Sequence, residues 1–137
     1  MTFWLVKTEP STYSFADLLR DRRTAWTGVK NAAAQLNLRR MKKGDRVLVY
    51  HTAGEKAVVG TGRIAAEAYV DPTGNGNLVA VDLEADAALG KPVTLAEIKS
   101  DKRFAGWELL RIGRLSVVPT TKAQFEVVME LGGTGRR

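Results

Sequence analysis

Two places in this sequence hold residues equipped for chemistry: the single histidine, His51, and the run Trp26-Thr27-Gly28-Val29-Lys30-Asn31. His51 ends a strand-like segment and has Glu9 and Asp45 as candidate carboxylate partners, so an acid–base pair is one reading of it. A lone histidine there is more often structural or ligand-contacting, because catalysis needs further groups in defined roles. No G-x-S-x-G elbow, phosphate-binding loop or complete dinucleotide fingerprint accompanies it. Gly60-Thr61-Gly62 lacks the third glycine and falls inside a strand pattern. With no cysteine and one histidine, disulfides and thiolate sites are excluded and no bound metal is expected.

The tryptophan run reads differently. Within six residues it offers a flat stacking surface, a glycine that lets backbone approach closely, an amide side chain and the donors of a helix start. Unstacked or flipped bases are held by such parts, through aromatic stacking and hydrogen bonds to the base edge. The alternative is that Trp26 packs in the core and Asn31 only caps a helix. The sequence by itself supports both.

The whole chain has 137 residues, 21 basic and 15 acidic, giving a net charge of +6 and a pI near 9.8. That excess favours a polyanionic partner, of which nucleic acid is the commonest, although solubility alone would also account for it. Part of it, Arg136 and Arg137, sits in the glycine-rich stretch GGTGRR, expected to be a flexible basic tail over 132–137. One domain over 1–131 fits the length. No apolar run approaches the roughly 20 residues of a membrane span. No basic-then-apolar leader precedes the first strand, so the expectation is a cytoplasmic protein, not membrane-bound, with a monomer favoured.

The elements that must position these residues are well signposted. Phe3 to Lys7 reads as a strand stopped at Glu9-Pro10. Ser14 with Asp17 makes a capping box for a helix whose apolar face is Phe15, Leu18 and Leu19, closed by Arg20, Arg22 and Arg23. A loop through Trp26 leads to Asn31 as the cap of a second helix, with Ala34, Leu38 and Met41 on one face and Arg39, Arg40, Lys42 and Lys43 at its end. Arg46 to His51 is apolar on both faces and reads as a central strand. Ala57 to Tyr69 is the longest strand candidate, and Gly60 and Gly62 on one face mark a bend or a close approach. After a turn at Asp71, Leu78 to Glu84 alternates, with Val79, Val81 and Leu83 facing in and Ala80 facing out. Thr94 with Glu97 caps a short helix, Leu115 to Val118 is a last strand ended by Pro119, and Thr121 caps a final helix burying Phe125, Val128 and Met129. Strands separated by turns and no βαβ period predict an α+β domain, a mixed β-barrel with flanking helices.

Five strings, WLVKTEP, WTGVKN, LRRMKKGDRVLVYH, VVGTGRIAAEAYVDP and RLSVVP, resemble the EVE domain in order and spacing across almost the whole chain. That family includes the thymocyte nuclear protein group and is related to PUA and YTH domains. The resemblance implies a PUA-like barrel, no cofactor, no catalytic centre, and recognition of a modified base in DNA or RNA within an aromatic-walled pocket. By motif position it implies a base pocket of Lys7, Thr8, Glu9, Trp26, Val29, Asn31, Tyr50, His51, Arg114, Leu115 and Ser116. Lys7, Lys30 and Arg114 would meet phosphates. Lys30 stands where arginine is usual, and the two are not equivalent at a bidentate or stacked site. The Asp71 to Leu78 loop is shorter than in many relatives. Two other readings remain: a small hydrolase or nucleotide-modifying enzyme using His51 and Glu9, and a small-molecule or protein interaction module.

Overall fold

The computed structural model describes residues 1–133. The chain runs β1 (Phe3–Thr8), α1 (Phe15–Asp21), β2 (Arg23–Trp26), α2 (Ala32–Arg40), β3 (Arg46–His51), β4 (Ala57–Val70), β5 (Val79–Thr94) and α3 (Leu95–Ser100). A 3-10 turn at Lys102–Phe104, α4 (Glu108–Arg111), β6 (Val117–Thr120) and α5 (Lys122–Leu131) complete it. Six strands form one mixed sheet in the order β2-β5-β4-β3-β1-β6, with helices around it, an α+β architecture. The one parallel pair is β1 with β3; every other pair is antiparallel.

Capping chemistry sets the helix starts. Ser14, Thr94 and Thr121 each accept from the backbone three residues on while Asp17, Glu97 and Gln124 answer reciprocally. Asn31 Oδ1 accepts from the Ala34 amide and starts α2. The turn from α2 into β3 is fixed by the buried carboxylate of Asp45. It accepts from the Thr2 amide (3.0 Å), the Trp4 indole Nε1 (3.0 Å) and the Lys42 amide (2.9 Å), tying the start of β1 to the start of β3. Leu5, Val47, Leu48 and Val49 lie fully inside, as expected of central strands. No described helix is long and apolar enough to cross a membrane.

Several expectations are corrected. The first helix ends at Asp21 with Arg20 in its last turn and Arg22 as its C-cap at φ 70°, but Arg23 opens β2 and does not close the helix. Trp26 ends β2 rather than lying in a loop, because Arg23–Trp26 pairs with Glu84–Val81 of β5. Leu19 is 41% exposed. The longest strand is β5, which continues through Ala85–Gly90 to Thr94. Ala80 is buried beside Val81, on a strand against which both α1 and α2 pack, so it does not face out. Pro119 lies inside β6, where its missing N–H is tolerated because β6 is an edge strand. Gly132 caps α5, while the end of the expected tail, 134–137, lies outside the described residues.

The two glycines of β4 do mark close approaches. A Cβ on Gly60 would sit 2.2 Å from the Phe15 ring, and one on Gly62 would sit 2.6 Å from the Glu84 carbonyl oxygen. The β4 register shifts at both places. The Gly62 contact is with backbone, so β5 itself would have to move. Gly62→Ala should destabilise the fold by about 1–3 kcal/mol, the usual cost of overpacking, read as a lower urea midpoint at unchanged slope.

Candidate functional site

The edge strand β2 with the loop after it, and the end of β1 with the residue before β6, line one open cleft of about 500 Å³, a volume within the range of roughly 300–1,000 Å³ that holds small ligands. From β2 come Thr24, Ala25 and Trp26, and from the loop after it Thr27, Gly28, Val29 and Lys30. The end of β1 supplies Lys7, Thr8 and Glu9, the turn before α1 supplies Thr12 and Tyr13, and Ser116 comes from just before β6.

The loop wall is held from behind by two buried polar side chains. Gly28, at φ 77°, donates its N–H to Asp71 Oδ2 at 2.8 Å. Asp71 Oδ1 accepts from both the amide and the hydroxyl of Thr73, at 2.7 Å each. Those donors, Thr73 first and then Gly28, hold the Asp71 carboxyl below its ordinary range. Gln35 Nε2 donates to the Val29 carbonyl (2.7 Å) and the Val79 carbonyl (3.0 Å), while its Oε1 accepts from the Val79 amide (2.8 Å). One side of the loop is thus pinned to the end of β4 and the other to α2 and the start of β5.

The opposite wall is organised by Lys7 and Tyr13. The Lys7 amide donates to Ser116 O and its Nζ to Gly113 O, both at 2.9 Å, docking the 113–116 segment onto β1. Its ammonium lies 5.7 Å from the Tyr50 ring centroid, and burial followed by nearby Lys56 lowers its pKa. Tyr13 meets Trp26 edge-on, centroids 6.2 Å apart and planes at 85°. Its hydroxyl donates to Asp21 at 2.8 Å, and burial with that bond raises its pKa. The Thr8 hydroxyl donates to the Tyr13 carbonyl at 2.6 Å. Trp26 is only 8% exposed, so it forms part of the floor and offers the cleft a limited area of ring.

Of the residues expected in a base pocket, Lys7, Thr8, Glu9, Trp26, Val29 and Ser116 line this cleft, as does Lys30. Asn31, Tyr50, His51, Arg114 and Leu115 do not line it. Asn31 stands next to Lys30 with its Oδ1 committed to capping α2. Tyr50 and Leu115 are buried behind Lys7 and Ser116, and Arg114 is exposed beside the 113–116 turn. Glu9 forms no ion pair among the described residues; its carboxylate accepts from the amide (3.2 Å) and hydroxyl (2.9 Å) of Ser11. Sequence reasoning missed Tyr13, Thr12 and Thr24 as lining residues and Gln35 and Asp71 as supports. Asp71 had read as an ordinary turn opener.

His51 Nε2 accepts the Phe15 amide at 3.0 Å, satisfying a donor of the first turn of α1. Asp45 cannot pair with it, being at the other end of β3 and bonded to Trp4. Among the described residues no group of three or more potential metal ligands gathers.

Comparison with known proteins places this geometry. The sequence model of the EVE domain matches residues 2–131. Zebrafish (Danio rerio) thymocyte nuclear protein 1 is 29% identical over 93% of this chain and 71% of its own length. A solved structure from Rhodopseudomonas palustris is 41% identical, superposes with a TM-score of 0.94, and is matched over 100% of this chain and 97% of its own. The human THYN1 protein, solved in complex with 5-methylcytosine-containing DNA, is 28% identical with a TM-score of 0.90, over 96% of this chain and 98% of its own.

The His51 contact has a pH signature. Burial, partly opposed by Glu9, lowers the His51 pKa below its ordinary 6.5, so protonation favours the unfolded chain. The resulting stability is complete above 6.5 and is lost as pH falls from 6.5 towards the folded-state value. Chemical denaturation across that window should show the native protein weakening in acid. His51→Gln, whose amide oxygen can still accept from Phe15, should show a flatter profile there.

Proposed function

The chain belongs to the EVE domain family, and from that premise we propose that it is a non-catalytic nucleic-acid-binding domain that takes one modified base, methylated or hydroxymethylated, into the cleft. The observation that carries the reading is the cleft itself. It combines a perpendicular Tyr13–Trp26 pair, an apolar contribution from Val29, the hydroxyls of Thr12, Thr24, Thr27 and Ser116, and the cations Lys7 and Lys30. The human relative solved with 5-methylcytosine-containing DNA supports the ligand class.

Each residue then has a physical role. Trp26 and Tyr13 contact the base faces or edges, with stacking worth roughly 1–3 kcal/mol per base. Val29 gives a methyl group an apolar neighbour. Ser116 and Thr8 supply polar contacts to the base edge, where a group left unpaired by the wrong base is penalised. Lys7, Lys30 and Arg114 meet phosphates, which adds salt-dependent affinity without sequence choice.

Catalysis by His51 and Glu9 is the less favoured reading. The His51 lone pair that a general base would use already holds the Phe15 amide, and the Glu9 carboxylate already holds Ser11.

The test is binding of labelled DNA and RNA oligonucleotides with cytosine, 5-methylcytosine or 5-hydroxymethylcytosine. The reading expects a preference for a modified base. Trp26→Leu, which keeps apolar volume in the core but removes the aromatic ring, should lose about tenfold of that preference, the equivalent of 1.4 kcal/mol. Equal binding to all oligonucleotides, unchanged by Trp26→Leu, would contradict it. Asp71→Ala, freeing the Gly28 amide and so loosening the loop, should weaken the modified ligand more than the unmodified one.

A further inference from the structure

The chain's excess positive charge is concentrated in one segment. Residues 22–44 contain seven basic residues, Arg22, Arg23, Lys30, Arg39, Arg40, Lys42 and Lys43, and no acidic one. Of the 21 basic and 15 acidic residues in the chain, fourteen and fifteen are therefore left for everything else, so the remainder nets −1. This same segment contributes β2 and the loop wall of the cleft.

Structure leaves most of that charge without a counter-charge. Among the described residues only Arg23 of the seven forms an ion pair, with Asp82 at 2.9 Å. Arg39 bonds neutral acceptors, Gln35 Oε1 and the Asn77 carbonyl. Arg40, Lys42 and Lys43 are exposed and their side chains form no hydrogen bond within the described chain. The dipole of α2 accounts for some cations in its last turn. It does not account for Lys42 and Lys43, which follow the Met41 C-cap.

Geometry joins the cluster to the cleft. Lys30 lines the cleft, Asn31 next to it caps α2, and the nine residues of α2 run from there for about 14 Å to Arg39 and Arg40. One strand of a duplex places a phosphate about every 3.4 Å, so that distance corresponds to roughly four phosphates.

We propose that α2 and the turn after it form a second contact surface, a backbone track along which the strand flanking the bound base places its phosphates on Arg40, Lys42 and Lys43. This rests on the cleft being a base-binding site, and it extends the footprint from one nucleotide to several. The track supplies affinity without base choice; the cleft supplies choice.

The experiment measures the salt dependence of affinity for a duplex of about twelve base pairs, long enough to cover the track, with a single methylated or unmodified cytosine. Native protein is compared with Arg40→Gln/Lys42→Gln/Lys43→Gln and with Lys99→Gln/Lys102→Gln/Lys122→Gln. The second variant removes three exposed cations outside the segment that form no ion pair among the described residues, and alters net charge equally. The track predicts that the first variant lowers the slope of log affinity against log salt by about two to three, at roughly 0.9 for each duplex phosphate no longer neutralised. Its affinity should fall equally for methylated and unmodified duplex, leaving their ratio intact, and the second variant should keep the native slope. Native slopes in the first variant, equal losses in both variants, or no duplex binding by native protein would overturn the track. A native protein without methyl preference, whose slope still falls in the first variant, would overturn the base-reading cleft and leave the track standing.

Discussion

Because β1 and β3 run parallel, a chain that leaves Thr8 at one end of the sheet must return to the other end before Arg46 can begin. Parallel neighbours require a crossover, and here it comprises residues 9–45 with α1, β2 and α2. The pairing Lys7↔Tyr50 and Thr8↔His51 brings both strand ends to the same place, beside the start of α1. The crossover must pass over that end, and it deposits Trp26 and the loop to Lys30 there. Asp45 closes the circuit by binding the indole of Trp4 and the amide of Thr2 at the far end. A buried carboxylate with three donors is well satisfied, and removing any of them would leave a polar group unpaired, at about 1–3 kcal/mol.

The cleft depends on the same economy of buried polar groups. Its loop wall has no regular ladder of its own after Trp26, so it is held by Asp71 through Gly28 and by Gln35 through Val29. Both supports come from elements distant in sequence, which makes the loop's position a property of the folded domain. Preorganisation of this kind lowers the ordering cost on binding. Asp71, which holds the loop, also opens the 71–78 segment.

Much of this was legible in the sequence where a local rule governs. The caps at Ser14, Asn31, Thr94 and Thr121, the buried strand at Arg46–His51 and the close approaches at Gly60 and Gly62 all follow from residue type and spacing. β2 was not legible, because four residues of mixed polarity become a strand only by pairing with β5. The far half of β5 was also hidden: Ala85–Gly90 has weak strand propensity and is extended through its pairing with β4. About half of the expected base-pocket set lines the cleft, since motif position finds the right neighbourhood but not which side chains face it. Tyr50, Leu115 and His51 belong to the same neighbourhood as supports, packed behind or holding a helix start. Gln35 and Asp71 gave no sequence signal, as their partners are backbone atoms of remote segments.

The central claim is that nucleic acid enters through the cleft between the β2 loop and the end of β1. The most direct measurement is an NMR titration of isotope-labelled protein with a duplex containing one 5-methylcytosine. The account predicts that the Trp26 indole signal and the Gly28, Lys7 and Ser116 amides shift together and saturate at one equivalent. Saturation with those four signals unmoved, and shifts confined to other surfaces, would contradict it.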